Sequence, residues 1–487
     1  MVQAVLRLDA STAIGGGHAV RCVALADALR EDGWQCTFVV AEPGADTVRR
    51  FAGQRHEVRA LPRGAALDAA ATMATVPAGC ELLVIDHYGW SAAQESACRG
   101  WARRILVIDD LCDRPHDCDL LLDMSLPDDT AAAARRGRNG TMLLGPGFAL
   151  LRSAFARQRM RARARAIPPR RIFVNFGLMD EPNLAGQSVQ ALREAAFDGA
   201  VNVVLGSQSP HLAGIQALGG RTGPAIRVHV EPDDLVALMA DADLALGAAG
   251  GSAWERCSLG LPSIAVTAAA NQERNARALA SQGACELVRT GAELSRVLGR
   301  LLPDAAAMER MSLAAAAITD ARGARRVALA LRPERTRTGG QVTLRRLTPG
   351  DAAITHRWQQ NPATRRHARN PAVPTRDEHL AWISRKLGDP GCVLDVVEHD
   401  GVPAGVVRLD RVARPGVDLA CEVSINVATE FHGHGIGAAA LSALRRLAPE
   451  AALIAHVLPG NAASHALFSK AGYVLDGATY VSIPVSD

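Results

Sequence analysis

Glycine-rich turns bearing histidines or followed by carboxylates mark three places in this chain where chemistry could be done. The first is the stretch from Asp9 to His18, where Gly15-Gly16-Gly17-His18 follows an apolar run and leads into a helical stretch starting near Ala19. Glycines between a strand and a helix let backbone N–H groups approach a phosphate or a sugar. A dinucleotide fingerprint would need a further glycine at position 20, which is Val20, and this disfavours NAD even though Glu42 follows the second apolar run. His18 stands where the helix dipole disfavours imidazolium, so its ring would be neutral and able to take a proton from water. A histidine that merely caps the loop would sit in the same place, and position alone leaves both readings open.

The second place is Gly247-Ala248-Ala249-Gly250-Gly251-Ser252, ahead of a helix carrying Trp254 and Glu255. Backbone donors there suit a diphosphate. Glu255 in the first helical turn could accept from ribose hydroxyls or simply complement the dipole. Asn271-Gln272 opens a further helix. The third place is Cys421–Val427, which alternates strictly and turns Glu422, Ser424 and Asn426 to one side. Phe431-His432-Gly433-His434-Gly435-Ile436-Gly437 follows, then a helix. Glu422 is a candidate base for an acceptor ammonium, or a carboxylate solvated at a cleft edge. His432 and His434 have no third partner at ligand spacing, so no metal site is expected.

These residues need elements to position them. Strand-like runs at Ala4–Leu8, Thr37–Val40, Leu82–Ile85, Ile105–Ile108 and Leu120–Leu122 form one set. Ile172–Phe176, Val201–Leu205, Ile226–Val230, Leu244–Leu246 and Ser263–Val266 form a second. Continuous apolar strands separated by helices mean parallel sheets covered on both faces. The expected architecture is α/β: two tandem Rossmann-like domains, residues 1–165 and 166–330, with a nucleotide-sugar cleft between them. Residues 331–341 are polar, with Pro333, Gly339 and Gly340, and read as a linker. An α+β domain, residues 342–487, follows, with strands at Val342–Leu347, Val393–Glu398, Val406–Leu409, Cys421–Val427 and Leu453–Val457.

Composition narrows the function classes. The 487 residues carry a formal charge of only +4, with 48% hydrophobic and 21% charged residues. Lysine occurs only at 386 and 470, so the basic charge is nearly all arginine. The densest basic run, Arg152 to Arg171, lacks interleaved aromatics and reads as a solvated helix face, with no nucleic acid as partner. No apolar run reaches the ~18 residues of a membrane span, and the early charge at Arg7 and Asp9 is unlike a signal peptide, so a cytoplasmic protein is expected. No pair among the ten cysteines has CxxC spacing, which points to buried thiols.

Two resemblances sharpen this reading. Arg7-Leu8-Asp9-Ala10-Ser11, Gly17-His18, Asp86-His87-Tyr88-Gly89, Asp109-Asp110, Gly145–Arg152, Gly250–Cys257 and Asn271-Gln272 resemble, in order, the UDP-2,4-diacetamido-2,4,6-trideoxy-β-L-altropyranose hydrolases of pseudaminic acid biosynthesis. The resemblance implies a GT-B-like fold, transfer of the sugar to water, C–O cleavage with release of UDP, and no metal. It implies a catalytic role for His18 and places Gly17, Tyr88, Gly250, Gly251, Ser252, Glu255 and Asn271 in the substrate site. Leu178 and Ser125 depart from the family pattern, which bears on the sugar substituents accepted.

Residues 342–487 resemble the GNAT N-acetyltransferases through Cys421–Val427, His432–Gly437, Asn461–Phe468 and Ala471-Gly472-Tyr473. This resemblance implies acetyl-CoA, held by Val427, Gly433, His434, Gly435, Ile436, Gly437 and Asn461. His432 replaces the usual Arg or Gln, and Phe468 replaces a frequent Tyr. The combined expectation is a bifunctional enzyme that hydrolyses a UDP-linked amino-deoxysugar and N-acetylates its 4-amino precursor. The alternatives are a glycosyltransferase of the same fold, or a non-catalytic nucleotide-sugar-binding protein.

Overall fold

The structure, a computed structural model, describes residues 2–10, 16–42, 44–126, 140–163, 165–219, 223–267 and 272–484. The chain divides into two compact units. One comprises Met1–Ser153, Ala269–Ala278 and Ala321–Ala328; the other Ala154–Ala268, Leu279–Asp320 and Leu329–Asp487.

The first unit is built on a parallel sheet of β1 (Val2–Leu8), β2 (Trp34–Ala41), β3 (Glu57–Leu61), β4 (Cys80–Asp86), β5 (Ala102–Ile108), β6 (Leu120–Asp123) and β7 (Thr141–Leu144). The strand order is 3-2-1-4-5-6-7. The inner strands are continuous buried runs, as parallel pairing requires. The order reverses between β1 and β4, and a crevice opens beyond the carboxyl ends of the strands at such a reversal. The helix α1 (Gly17–Glu31) leaves that end of β1 and buries Cys22, Leu25, Ala26 and Leu29 along one face.

The second unit holds two sheets. One is parallel, with β8 (Arg171–Asn175), β9 (Ala200–Leu205), β10 (Ala225–Val230), β11 (Leu244–Ala248), β12 (Ser263–Val266) and β13 (Glu286–Val288) in the order 10-9-8-11-12-13. Its reversal lies between β8 and β11, and α2 (Ser252–Ser258) follows β11. Strands β3, β7 and β13 escape sequence reading because each is short and partly exposed.

The other sheet comprises β14 (Glu334–Arg335), β15 (Gln341–Arg346), β16 (Cys392–His399), β17 (Val402–Val412), β18 (Ala420–Val427), β19 (Ala452–His456), β20 (Val474–Asp476) and β21 (Thr479–Ser482). Its order is 14-15-16-17-18-19-21-20, antiparallel except for β18 and β19. That parallel ladder is brief: Ala420, Cys421 and Glu422 pair with Ala452, Leu453 and Ile454, and beyond Glu422 the strands part.

Residues 331–341, which the sequence reads as a linker, carry local structure. Glu334 and Arg335 pair with Val342 and Gln341, and Glu334 accepts from Ser442 and Arg446. The polar composition that suggested a linker instead supplies this ion pair.

The basic run after Arg152 is solvated at Arg157, Arg161, Arg163 and Arg170, but it also turns arginines inward. Arg159 is only 1% exposed and donates to the carbonyls of Ser258, Ala316, Thr319 and Asp389. Arg165 donates to the carbonyls of Ala242, Leu259 and Gly260. Beside Arg159, Arg346 donates to Ala316, Ala317 and Leu387 and pairs with Asp320 at 3.3 Å. The two guanidinium groups therefore meet the carbonyl end of α3 (Ala305–Ile318), where the helix dipole favours cations. Because Leu387 and Asp389 end the helix α4 (Arg376–Gly388) and the turn after it, the same two arginines join the second Rossmann sheet to the mixed sheet.

Burial, followed by the neighbouring Arg346, pushes the Arg159 guanidinium down to about 9. Its removal would still leave buried carbonyls without donors. Arg159→Ala is expected to destabilise the second unit by about 3–5 kcal/mol, read as a lower urea midpoint. An unchanged midpoint would show that water replaces the guanidinium without loss.

Candidate functional site

In the first unit the reversal of strand order brings His18, Arg21, Asp86 and Tyr88 together. Asp86 ends β4 and is 1% exposed. Its carboxylate lies 2.9 Å from His18 Nδ1 and accepts from Arg21 Nε at 2.6 Å and a second Arg21 nitrogen at 2.5 Å. Arg21 also reaches Asp110 at 3.0 Å. Burial opposes ionisation of Asp86, but Arg21 and His18 outweigh it and hold the carboxyl well below the usual carboxylate range.

The Asp86 backbone carbonyl is a second acceptor near Nδ1, at 3.2 Å. With only acceptors around it, Nδ1 carries the proton, which leaves the Nε2 lone pair to receive one. Tyr88 stands edge-on to the ring, with centroids 4.7 Å apart. The field nearest His18 is thus a carboxylate, which the helix-dipole argument from sequence did not include. Arg21 and Asp86 had a legible signal: Arg21 lies one helical turn after His18, and Asp86 ends an apolar strand.

His87 is held differently. Its Nδ1 accepts from the Gly89 N–H at 2.9 Å, and burial, followed by Arg7, pushes the imidazole down to about 4. The ring is therefore neutral near pH 7, with Nε2 protonated and 3.8 Å from an Asp9 oxygen. Gly17 opens α1 with no side-chain cap on the helix, and a Cβ there would meet nothing within 4 Å. Asn271 lies outside the described residues, as do residues 11–15 of the preceding loop. Arg274 donates to the Asp110 carbonyl.

The loop carrying Asp110 is fastened by a buried cluster. His116 Nδ1 is 2.6 Å from Glu95, and Nε2 faces Asp109 at 3.5 Å. Arg114 donates to the carbonyls of Trp90 and His87.

In the second unit, Gly250, Gly251, Ser252 and Glu255 gather beyond the carboxyl end of β11. A Cβ on Gly251 would meet nothing within 4 Å, so the backbone there can be closely approached. Arg256, 1% exposed, supports the loop from within. It donates to the Ala248 carbonyl at 2.7 Å and to the Ser252 hydroxyl at 3.2 Å. Glu255 is largely buried. Leu178 is part-exposed after Gly177, whose φ of +99° follows the end of β8.

In the mixed sheet, the loop after β18 bends through Gly433 and Gly435, with φ of +83° and +85°. It opens α5 (Ile436–Leu447). His432 Nε2 lies 3.0 Å from the Val427 carbonyl, so this replacement ties the loop back to its strand. His434 faces the His399 ring. Arg337, from the segment expected to be a linker, lies on the loop and donates to the Gly433 carbonyl at 3.3 Å.

Gly437 lets α6 (Ala462–Lys470) pack closely, since a Cβ there would meet Leu467 at 3.2 Å. Asn461 caps that helix, its side chain accepting from the Ser464 N–H. Phe468 is buried against Tyr473 and Tyr480. Glu422 is ion-paired with Arg369 and lies 3.1 Å from His456 Nδ1. Arg369 and His456 drew no attention in the sequence because no spacing links them to Glu422.

Residues 341–474 match the acetyltransferase (GNAT) domain, and residues 187–327 match the glycosyltransferase family 28 C-terminal domain. The chain is thus similar to a glycosyltransferase family 28 C-terminal domain in one region and to a GNAT acetyltransferase domain in another. A curated relative, the UDP-2,4-diacetamido-2,4,6-trideoxy-β-L-altropyranose hydrolase of Campylobacter jejuni subsp. jejuni, is 26% identical over 210 residues. That match covers 42% of this chain and 72% of the relative. Among solved structures, MurG of Acinetobacter baumannii is 16% identical with a TM-score of 0.50, over 68% of this chain and 99% of that one. RimL, a ribosomal L7/L12 α-N-protein acetyltransferase in complex with coenzyme A, is 16% identical with a TM-score of 0.27, over 29% of this chain and 94% of that one. By the MurG likeness the first two sheets are GT-B-like and α/β, and by its family match the third is GNAT-like. Among the described residues no helix is long and apolar enough to cross a membrane.

The His116 cluster generates a pH prediction. Burial would lower the His116 pKa, but the Asp109 and Glu95 carboxylates raise it above the usual histidine value. A raised folded-state pKa gives stability that is complete below the unfolded value of about 6.5 and is lost as pH rises through the folded value. Thermal stability of the wild type should therefore fall on going from about pH 6.5 into the alkaline range. In His116→Gln that part of the slope should vanish, and identical slopes in both proteins would refute the assignment.

Proposed function

We propose that the chain is a bifunctional enzyme of nonulosonic (pseudaminic) acid biosynthesis. In this reading residues 1–330 cleave a UDP-linked 2,4-diacetamido-2,4,6-trideoxy sugar with water, and residues 342–487 N-acetylate the UDP-4-amino precursor from acetyl-CoA. The observation that carries the hydrolase half is the Nδ1 contact of His18 with an ionised, Arg21-locked Asp86 at the strand-order reversal. A base needs a free lone pair on a ring held in one tautomer, and this contact supplies both.

In the proposed step a water oxygen bonds to the anomeric carbon as the bond from that carbon to the UDP oxygen breaks. The water proton passes to His18 Nε2, and UDP leaves with the bonding electrons. Asp86 stabilises the imidazolium that forms. In this reading the diphosphate charge is assigned to backbone donors at Gly250, Gly251 and Ser252 and, by the family resemblance alone, the nucleoside sugar to Glu255 and Asn271. Tyr88 and Gly17 border the sugar. No step requires a metal, so the assays below are run in EDTA. Direct displacement by water inverts the anomeric centre.

The acetyltransferase half is supported by the GNAT match and by the Gly433–Gly437 turn. Val427, His434, Ile436 and Asn461 border the proposed acetyl-CoA site. A hydrolase pocket that takes an acetamido group would penalise a bare ammonium, because burying an unpaired charge is costly. Acetylation then precedes UDP release.

His18→Ala and Asp86→Asn should each lower UDP release from the diacetamido sugar about 10²–10⁴-fold, with UDP affinity by calorimetry nearly unchanged. Near wild-type turnover in either would remove that residue from the mechanism.

UDP release from the 4-amino precursor should depend on acetyl-CoA. Gly435→Val should block it while leaving release from the diacetamido sugar intact, because a side chain at φ +85° distorts the loop. Equal release with and without acetyl-CoA would overturn the proposed order.

A further inference from the structure

We propose that His456 is the base of the acetyl transfer, and that Glu422, the carboxylate the sequence favours for that role, is a positioning residue. The inference rests on the acetyltransferase reading of residues 342–487 and assigns the proton within it.

Strand register brings the pair together. Glu422 is the last residue of β18 to pair with β19, opposite Ile454. Paired residues of parallel strands share a face, and so do residues two apart on one strand. His456 therefore shares the face of Ile454 and Glu422, and its Nδ1 lies 3.1 Å from Glu422 Oε1. This is also the point where β18 and β19 part, so the two side chains flank the wedge between the strands.

Glu422 is already engaged. Arg369 donates to both of its oxygens, and His456 approaches one of them. His456 is the opposite case. Its side chain is 51% exposed, its Nδ1 faces the carboxylate, and its Nε2 lies on the far side of the ring. With Nδ1 donating to Glu422, Nε2 holds the lone pair. Among the described residues, the charged groups facing the ring are Glu422 and, through it, Arg369.

The step balances as follows. The acceptor ammonium gives one proton to His456 Nε2, and the imidazolium is stabilised by Glu422. The freed amine bonds to the thioester carbonyl carbon, the carbon–sulfur bond breaks, and the thiolate takes the second amine proton as CoA leaves. His456 then returns its proton to solvent.

The test uses the full chain, acetyl-CoA and a UDP-linked 4-amino-4-deoxy sugar, with thiol release as the readout. His456→Gln should lower kcat about 10²–10³-fold with CoA affinity by calorimetry within about twofold. It should also abolish the acidic limb of the kcat/KM profile. His456→Ala should regain rate with added imidazole. Glu422→Gln should lose less rate and keep an acidic limb.

An unchanged acidic limb in His456→Gln, or its loss in Glu422→Gln instead, would overturn the assignment and leave the acetyltransferase reading standing. A wild-type chain that neither binds CoA nor releases thiol would overturn that reading, and this proposal with it.

Discussion

A carboxylate at the buried end of a strand cannot stay ionised unless charge and hydrogen-bond donors meet it there, and Asp86 is met by one guanidinium and one imidazole N–H. Arg21 neutralises it, and His18 takes the remaining reach of the same oxygen. Each partner comes from α1, one turn apart, so the helix cannot rotate or slide without breaking both contacts. The helix in turn follows from the glycine turn at its start and from the strand order that puts β1 beside β4. Asp110 and the cluster at His116 extend the constraint to the loop after β5. The geometry around His18 is thus the local consequence of satisfying one buried charge.

The second unit is organised by the opposite sign of charge. Arg159 and Arg346 are buried where the carbonyls of a helix end run out of backbone partners. Their donors satisfy groups from the second Rossmann sheet and from the GNAT sheet at once. This explains why those two regions form one compact unit although their topologies are unrelated. Glu334 adds a further clasp through Arg446 and Ser442, using a segment that composition alone suggests is a tether.

The departures from family patterns gain physical content in the same way. His432 fastens the glycine loop to Val427, a contact within the loop's own scaffold. Phe468 is enclosed by Tyr473 and Tyr480, and the Tyr480 hydroxyl meets His465 and Ser469. Phe468 therefore serves the core. Ser252 accepts from Arg256 through its hydroxyl oxygen, which ties that side chain to its own helix.

By itself the sequence determined the classes of element and the places where chemistry could occur. Apolar runs spaced by helices specify parallel sheets, because only strands covered on both faces tolerate such runs. Glycines before helices mark close backbone approach, because no other residue permits it so readily. Legible, too, was the glycine turn from Gly433 to Gly437 at the start of a helix. What only the tertiary structure decided is which charges meet. His18 and Asp86 are 68 residues apart, Arg159 and Asp389 are 230, and Glu422 and His456 are 34. Periodicity describes the face a side chain occupies along its own element, and says nothing of the register between elements. A buried charge, however, is stable only beside its partner, so pairings across strands and units were settled by packing.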